Sequence, residues 1–230
     1  MKARVFDTWR DPYNKGYSMT RPKRITLNEG LTVFVGCNGS GKSTLLDNIR
    51  EELFNESTPV LYFDNIHDGE YCSKGSSYQS KISKRLVACS EGEAIQLNIG
   101  QIARTIKQFL ISGLNEDDLA MYSELSIDPP SCSTNERFIL LDSIDSGYSL
   151  DNIQNLKELF NLILEDGADL DLDVYIIVTA NGYDLAEGQH CFDVMEGKYI
   201  TFDNYNDYRA FILKCRQKRD KRIKSSTNNT

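Results

Sequence analysis

Gly36-Cys37-Asn38-Gly39-Ser40-Gly41-Lys42-Ser43-Thr44 follows Leu31-Thr32-Val33-Phe34-Val35 and precedes Leu45-Leu46-Asp47-Asn48-Ile49. The first flank is a short apolar run that predicts a buried strand, and the second predicts a helix. Strand, loop and helix in that order make a phosphate-binding P-loop. The glycines let the backbone curl until successive N–H groups face one anion, while a helix beginning near Lys42 adds the positive end of its dipole. In such a loop Lys42 reaches the β- and γ-phosphates of ATP and the Ser43 hydroxyl takes Mg²⁺. Gly36, Asn38, Gly39, Ser40, Gly41 and Thr44 complete the cradle. A glycine-rich turn without a ligand is the alternative, and the agreement of strand, loop, lysine and helix weighs against it.

The rest of the composition fits one globular unit. The chain has 230 residues, 40% of them hydrophobic and 26% charged, enough for one good core. No apolar stretch approaches membrane-spanning length, and Met1-Lys2-Ala3-Arg4-Val5-Phe6-Asp7 lacks the apolar core of a signal peptide. A cytoplasmic location without a membrane partner is therefore expected. The six cysteines, at 37, 72, 89, 132, 191 and 215, show no CxxC spacing and read as free thiols. Net charge is −8, yet residues 211–230 carry seven Lys or Arg against Asp220 alone, so the body is acidic and the tail basic. Such a tail suits nucleic acid or an acidic partner surface, or equally a solvated helix end fraying through Ser225-Ser226-Thr227.

Taken in order, Arg4-Val5-Phe6 and Ile25-Thr26-Leu27 read as strands, and a turn at Asn28-Glu29-Gly30 lets the second pair with the strand entering the P-loop. Tyr17 lies 25 residues before Lys42 and reads first as a surface or packing tyrosine; in many ABC-type ATPases an aromatic near this position stacks on adenine. A helix to about Leu53 leads to the strand Val60-Leu61-Tyr62-Phe63, after which Asn65 or Gln79 is a candidate contact for Mg²⁺ or the γ-phosphate, where ABC-type proteins use a glutamine, or simply a loop residue. From Gln79 to Leu114 the apolar residues Ile95, Ile99, Ile102, Ile106, Phe109 and Leu110 recur at helical steps, with Ser90-Glu91-Gly92-Glu93 at the helix start. A more polar helix covers 115–126.

Phe138-Ile139-Leu140-Leu141-Asp142 is four apolar residues ending in an acid, the pattern of a central parallel strand that delivers a carboxylate to the nucleotide's metal. Leu150, Ile153, Leu156, Phe160, Ile163 and Leu164 mark the next helix, which Asp166-Gly167 is expected to end, and Val174-Tyr175-Ile176-Ile177-Val178 the next strand. Asp169, Asp171 and Asp173 alternate in the connection and read as solvated rather than as a calcium loop. A hairpin over 191–202 and a helix from about Asn206 to Leu213 end the body. The expected fold is α/β with a mostly parallel central sheet. Residues 1–213 form one domain with a helical subdomain at about 79–127, and 214–230 are the basic tail.

These segments resemble the ABC-type ATPase heads of the SMC, RecF-like and overcoming-lysogenisation-defect (OLD) families. The P-loop matches their GxNGSGKST form. Ser90-Glu91-Gly92-Glu93 resembles their signature segment, whose serine and glycine contact the γ-phosphate held by the opposite subunit. Asp142-Ser143-Ile144-Asp145-Ser146-Gly147 resembles the acidic DExExG segment of OLD-like heads, and Val178-Thr179-Ala180-Asn181 falls where those families place a switch histidine. The pattern is also similar to small ATPases of bacteria and their mobile elements, including phage-defence systems. The resemblance implies a P-loop NTPase of ABC-ATPase type, with ATP and Mg²⁺ as cofactors. Ser43 and Asp142 hold the metal, and Ser90 and Gly92 join the nucleotide contacts of a partner copy.

Two departures bear on catalysis. Ser143 stands where a glutamate usually activates water, and Asn181 replaces the histidine, leaving Lys42, Asp142, Asp145 and Asn181 as the catalytic candidates with Asp145 as substitute base. The 47 residues between Lys42 and Ser90 leave no room for a coiled-coil arm, and no nuclease segment is present, so an effector would be a separate protein. The leading expectation is a head-only ATPase that dimerises around ATP and controls an effector or engages nucleic acid. The alternative is a nucleotide-gated scaffold or sensor with negligible hydrolysis. A transporter subunit would carry the full signature, glutamate and histidine. A small-molecule kinase leaves the Ser90 segment unexplained.

Overall fold

Side chains alternate across a strand, and here the alternation sorts three strands into two buried layers. In β3 (Gly30–Val35), Val33 and Val35 face one layer while Phe34 faces the other. In β5 (Glu136–Asp142) the split is Ile139 and Leu141 against Phe138 and Leu140, and in β6 (Asp173–Thr179) it is Val174, Ile176 and Val178 against Tyr175 and Ile177. All of these side chains are buried, as expected for the centre of a parallel sheet covered on both faces. The computed structural model describes residues 2–7, 24–64, 91–129, 132 and 134–227.

The main sheet has the order β4-β5-β6-β3-β7-β8, with β4 spanning Val60–Asp64, β7 Cys191–Asp193 and β8 Lys198–Ile200. Every pairing is parallel except the β7–β8 hairpin. On one face lie α2 (Glu91–Ser112), α4 (Leu150–Asp169) and the short α5 (Tyr183–Ala186); contrary to expectation α4 runs on through Asp166-Gly167, where Gly167 lets the helix pack close against Val174. From these helices Ile102, Ile106, Phe109, Leu110, Ile153, Leu156, Phe160 and Leu185 join the first buried cluster. Gly113 ends α2 in a left-handed conformation, φ 72°, and its N–H returns to the Phe109 carbonyl at 2.7 Å. A polar helix, α3 (Glu116–Glu124), follows, capped by the Asn115 side chain.

The other face is covered by α1 (Lys42–Asn55), through Leu45, Leu46, Ile49 and Leu53, and by a separate two-stranded antiparallel sheet of β1 (Ala3–Asp7) and β2 (Arg24–Asn28). The second strand thus pairs with β1 and not with the strand entering the P-loop, contrary to the sequence expectation. Both edges of β3 are taken by β6 and β7, and Phe6, Ile25 and Leu27 are buried over the sheet beside α1. The turn at Asn28–Gly30, with Gly30 at φ 101°, therefore carries the chain from one layer into the next.

The C-terminal element agrees with the reading of the basic segment as a helix end. α6 (Tyr205–Thr227) continues as one helix through the basic segment. Tyr208 is buried in the first cluster, Cys215 in the second, and Ile212 packs against both. Among the described residues no helix is long and apolar enough to cross a membrane. The Asp169–Asp173 connection places Asp173 against Lys2 at 2.7 Å, and no group of three or more metal-ligating side chains occurs among the described residues.

Phe138 stacks on Tyr175 with ring centroids 4.4 Å apart and meets Phe6 edge-on at 5.8 Å, so it joins the sheet to the β1–β2 layer. Phe138→Ala is expected to lower stability by about 3–5 kcal/mol. Urea denaturation checks this, and a loss under about 1 kcal/mol would show that the layer is not held through this ring.

Candidate functional site

Parallel strands align their C-terminal ends, and their register decides which side chains meet there. Leu141 pairs with Val178, so Asp142 and Thr179 follow at the same level, and Phe34 pairs with Thr179 on the other side. The P-loop leaves β3 one step later. Its start is fixed by the Ala180 N–H, which donates to the Phe34 carbonyl at 3.0 Å. The site lies where open α/β sheets bind ligands, beyond the carboxyl ends of the strands.

Within the loop, the Ser40 N–H donates to the Cys37 carbonyl at 3.0 Å, closing a tight turn through Asn38 and Gly39. Gly36 has no room for a side chain, since a Cβ there would lie 2.4 Å from Ser40 Oγ. Helix α1 starts on Gly41, which is left-handed at φ 98° and provides no side-chain cap, whereas α3 and α4 are capped by Asn115 and Ser149. An uncapped helix start presents N–H groups to an anion. The buried Ser40 Oγ also has no protein hydrogen-bond partner.

Lys42 is buried in this cradle and donates from Nζ to the Gly36 carbonyl at 3.1 Å. Burial pulls its pKa below the ordinary lysine value, while Cys37, Asp142 and Asp145 pull it back up. An ammonium held this way gains from a phosphate. Ser43 and Thr44 continue the first turn of α1, with Ser43 exposed. The buried Asp142 accepts a 2.6 Å hydrogen bond at Oδ1 from the Thr179 hydroxyl, which itself accepts from the Ser143 N–H at 2.7 Å.

Ser143 is left-handed, φ 53°, an uncommon state for a residue with a side chain. It begins a turn that doubles the chain back, with the Ser146 N–H donating to the Ser143 carbonyl at 3.0 Å. The turn brings Asp145 to the end of β6. There Asp145 Oδ2 accepts from the N–H groups of Asn181 at 2.8 Å and Gly182 at 2.9 Å, while Oδ1 is buried without a protein hydrogen-bond partner. Burial pushes the Asp145 pKa up, against the pull of the two N–H groups and Lys42. Asn181 holds Asp145 through its backbone, and its amide donates to Ser146 Oγ at 3.0 Å.

The structure therefore brings Lys42, Asp142, Asp145 and the backbone of Asn181 into one site. Gly92 lies in the first turn of α2, and Ser90, Tyr17, Asn65 and Gln79 fall outside the described residues. Sequence reasoning missed Thr179, which orients the Asp142 carboxylate, and Arg219 of α6, which donates to the Asn38 carbonyl of the P-loop. The first was legible only as a hydroxyl ending a strand, and the second gave no sign within a run of basic residues.

A parallel α/β sheet with a P-loop at the end of a central strand, a buried lysine and a strand-end aspartate defines a P-loop nucleotide-binding domain. Residues 15–172, more than half of the chain, match the family model described as AAA domain, and the chain belongs to that family. Among solved structures, the chain is similar to the ADP conformation of MJ1267, an ATP-binding cassette of an ABC transporter. Identity there is 16%, over 93% of this chain and 97% of that one, with a TM-score of 0.45. It is also similar to AMPPCP-bound DnaA from Aquifex aeolicus, with 17% identity over 84% of this chain and 46% of that one and a TM-score of 0.29. No curated protein matches the chain. The assignment is to the AAA domain family, and the likeness to ABC-type heads, those of the SMC, RecF-like and OLD families among them, stays a resemblance.

Thr179→Val keeps the shape of the side chain but leaves Asp142 without its donor. Stability should fall by about 1–3 kcal/mol, and Thr179→Ser should recover most of the loss. Thermal denaturation of both variants checks this. Equal losses for valine and serine would assign the effect to packing.

Proposed function

We propose that this chain is an ATP-binding head that closes as a dimer around two ATP molecules and uses the closure to control a separate effector protein or to engage nucleic acid. The observation that carries the reading is the convergence of Lys42, Asp142 and Asp145 beside an α1 start without a side-chain cap. The residues fit ATP with Mg²⁺. The backbone from Gly36 to Thr44 and the Lys42 ammonium bind the phosphates, and Ser43 and Asp142 hold the metal, which when bound neutralises phosphate charge. Residues 1–213 are read as the head. Ser90 and Gly92, in the helical segment 79–127, complete the site of the opposite copy. The resemblance to ATPases of bacteria and mobile elements supports a role in antiviral defence.

Asp145 is the proposed proton acceptor. Its Oδ2 is held by two backbone N–H groups and its Oδ1 is unengaged by protein, while burial raises its pKa, which makes it a stronger proton acceptor than an exposed carboxylate. Ser143 supplies no base, and the Asn181 amide is engaged with Ser146. Those two features favour slow turnover. They equally support a second reading, a nucleotide-gated sensor with negligible hydrolysis. In the tail, exposed Arg216 and Lys221 are the candidates for contact with nucleic acid phosphates.

Lys42→Ala should abolish binding of ATP with Mg²⁺ in a calorimetric titration, because the phosphate charge is left uncompensated. Unchanged affinity would refute the site.

If closure shares the nucleotide, the mass measured by light scattering should double with ATP and not with ADP, and Ser90→Arg should block the change while ATP still binds. Asp145→Asn should slow phosphate release by roughly 10²-fold or more if Asp145 is the base. Phosphate release from the wild type no faster than without protein, with ATP-dependent dimerisation intact, selects the sensor, and equal measurable release in wild type and Asp145→Asn removes Asp145 as the base.

A further inference from the structure

The sulfurs of Cys37 and Cys215 lie 3.3 Å apart although the residues are 178 positions apart in the chain. Cys37 is the second residue of the P-loop, and Cys215 lies on α6. The Cys37 N–H donates to Cys215 Sγ at 3.2 Å, and Met195 Sδ lies 3.1 Å from the same sulfur. Both cysteines are free thiols and both are buried. Four residues further along α6, and so on the same helix face, Arg219 donates to the carbonyl of Asn38. One face of α6 thus grips two successive residues of the phosphate loop.

A small oxidant has a route to Cys215. Cys215 lines a partly open cavity of about 110 Å³ together with Met195, Lys214 and Lys218. Burial, together with Cys37 and Asp193, pushes the Cys215 thiol up to about 11. The reactive form of a cysteine is the thiolate, so the pair is expected to oxidise slowly near neutral pH and faster as the pH rises.

We propose that Cys37 and Cys215 form a reversible disulfide that locks α6 onto the phosphate loop and weakens nucleotide binding. The second half of this statement rests on the ATP-binding reading. With a peroxide as oxidant the chemistry balances. One thiolate attacks a peroxide oxygen, the O–O bond breaks to leave a sulfenic acid and hydroxide, and the hydroxide takes the proton that the thiol released to become one water. The other sulfur then attacks the oxidised sulfur, the S–S bond forms, the S–O bond breaks and a second water leaves with the remaining thiol proton. Two thiols lose two electrons, and one hydrogen peroxide becomes two waters.

A disulfide holds its sulfurs about 2.05 Å apart, so the present gap must close by about 1.2 Å. Tyr208 and Ile212 fix α6 in the two cores, and the movement falls on Cys37 and the loop backbone whose N–H groups face the phosphates. The lock also holds Arg219 over Asn38.

The test uses the full chain, with hydrogen peroxide as oxidant and dithiothreitol as reductant. Peptide mapping without reduction should find a Cys37–Cys215 linked peptide. Calorimetry should show ATP affinity falling by roughly tenfold or more in the oxidised protein and returning on reduction. Cys215→Ser should keep its affinity after the same treatment. The proposal is overturned if peroxide modifies the exposed Cys132 fully without producing the linked peptide, or if the linked protein binds ATP as tightly as the reduced one. Binding by the reduced wild type is measured first. If it is absent, the ATP-binding reading fails and takes the nucleotide half of the proposal with it, while the linked peptide still decides whether the dithiol site exists.

Discussion

The register of three parallel strands is the constraint on which the site depends. Because Leu141 pairs with Val178 and Phe34 with Thr179, the ends of β5, β6 and β3 come level, and Asp142, Thr179 and the first residue of the P-loop share one edge. A slip of one residue in either pairing would turn every side chain to the opposite face, exchanging Phe138 and Leu140 with Ile139 and Leu141. Both faces are buried in clusters of different shape. The packing that holds the domain together is thus the same packing that aims Asp142.

On this frame the polar groups are held at short range by backbone and hydroxyl donors. The Thr179 hydroxyl bridges the Asp142 carboxylate and the Ser143 N–H, and the left-handed turn at Ser143 returns Asp145 to two N–H groups beyond β6. Burying these carboxylates and Lys42 is costly unless each finds a partner. The cost shows in the shifts: Lys42 is pulled down by burial and Asp145 is pushed up. A bound polyanion beside Lys42 would offset part of it, which links nucleotide binding to the stability of the loop.

Helix α6 adds a second restraint from the far end of the chain. It passes from one buried layer to the other and reaches the P-loop through Cys215 and Arg219. A phosphate loop is made of glycine-rich backbone with few side chains to anchor it, so contacts at Cys37 and Asn38 bear directly on its shape. The cluster of Cys37, Cys215 and Met195 sulfurs places a chemically modifiable contact at that point.

The sequence by itself determined the P-loop, the strand ending at Asp142, the α/β class and the apolar face of α2. Each of these is carried by neighbouring residues whose period, glycines and strand-end acid can be read within a single window. It misled for Ile25-Thr26-Leu27, because a short alternating strand pairs with whatever edge is open, and β3 had none. It was silent on Thr179 as the partner of Asp142, on the C-terminal helix reaching the P-loop through Arg219, and on Cys37 meeting Cys215. Those features depend on strand register and on how a distant helix crosses two cores. Only the tertiary structure decided them, because contacts between residues 37 or 178 positions apart are selected by the packing of the whole sheet and leave no local trace in the chain.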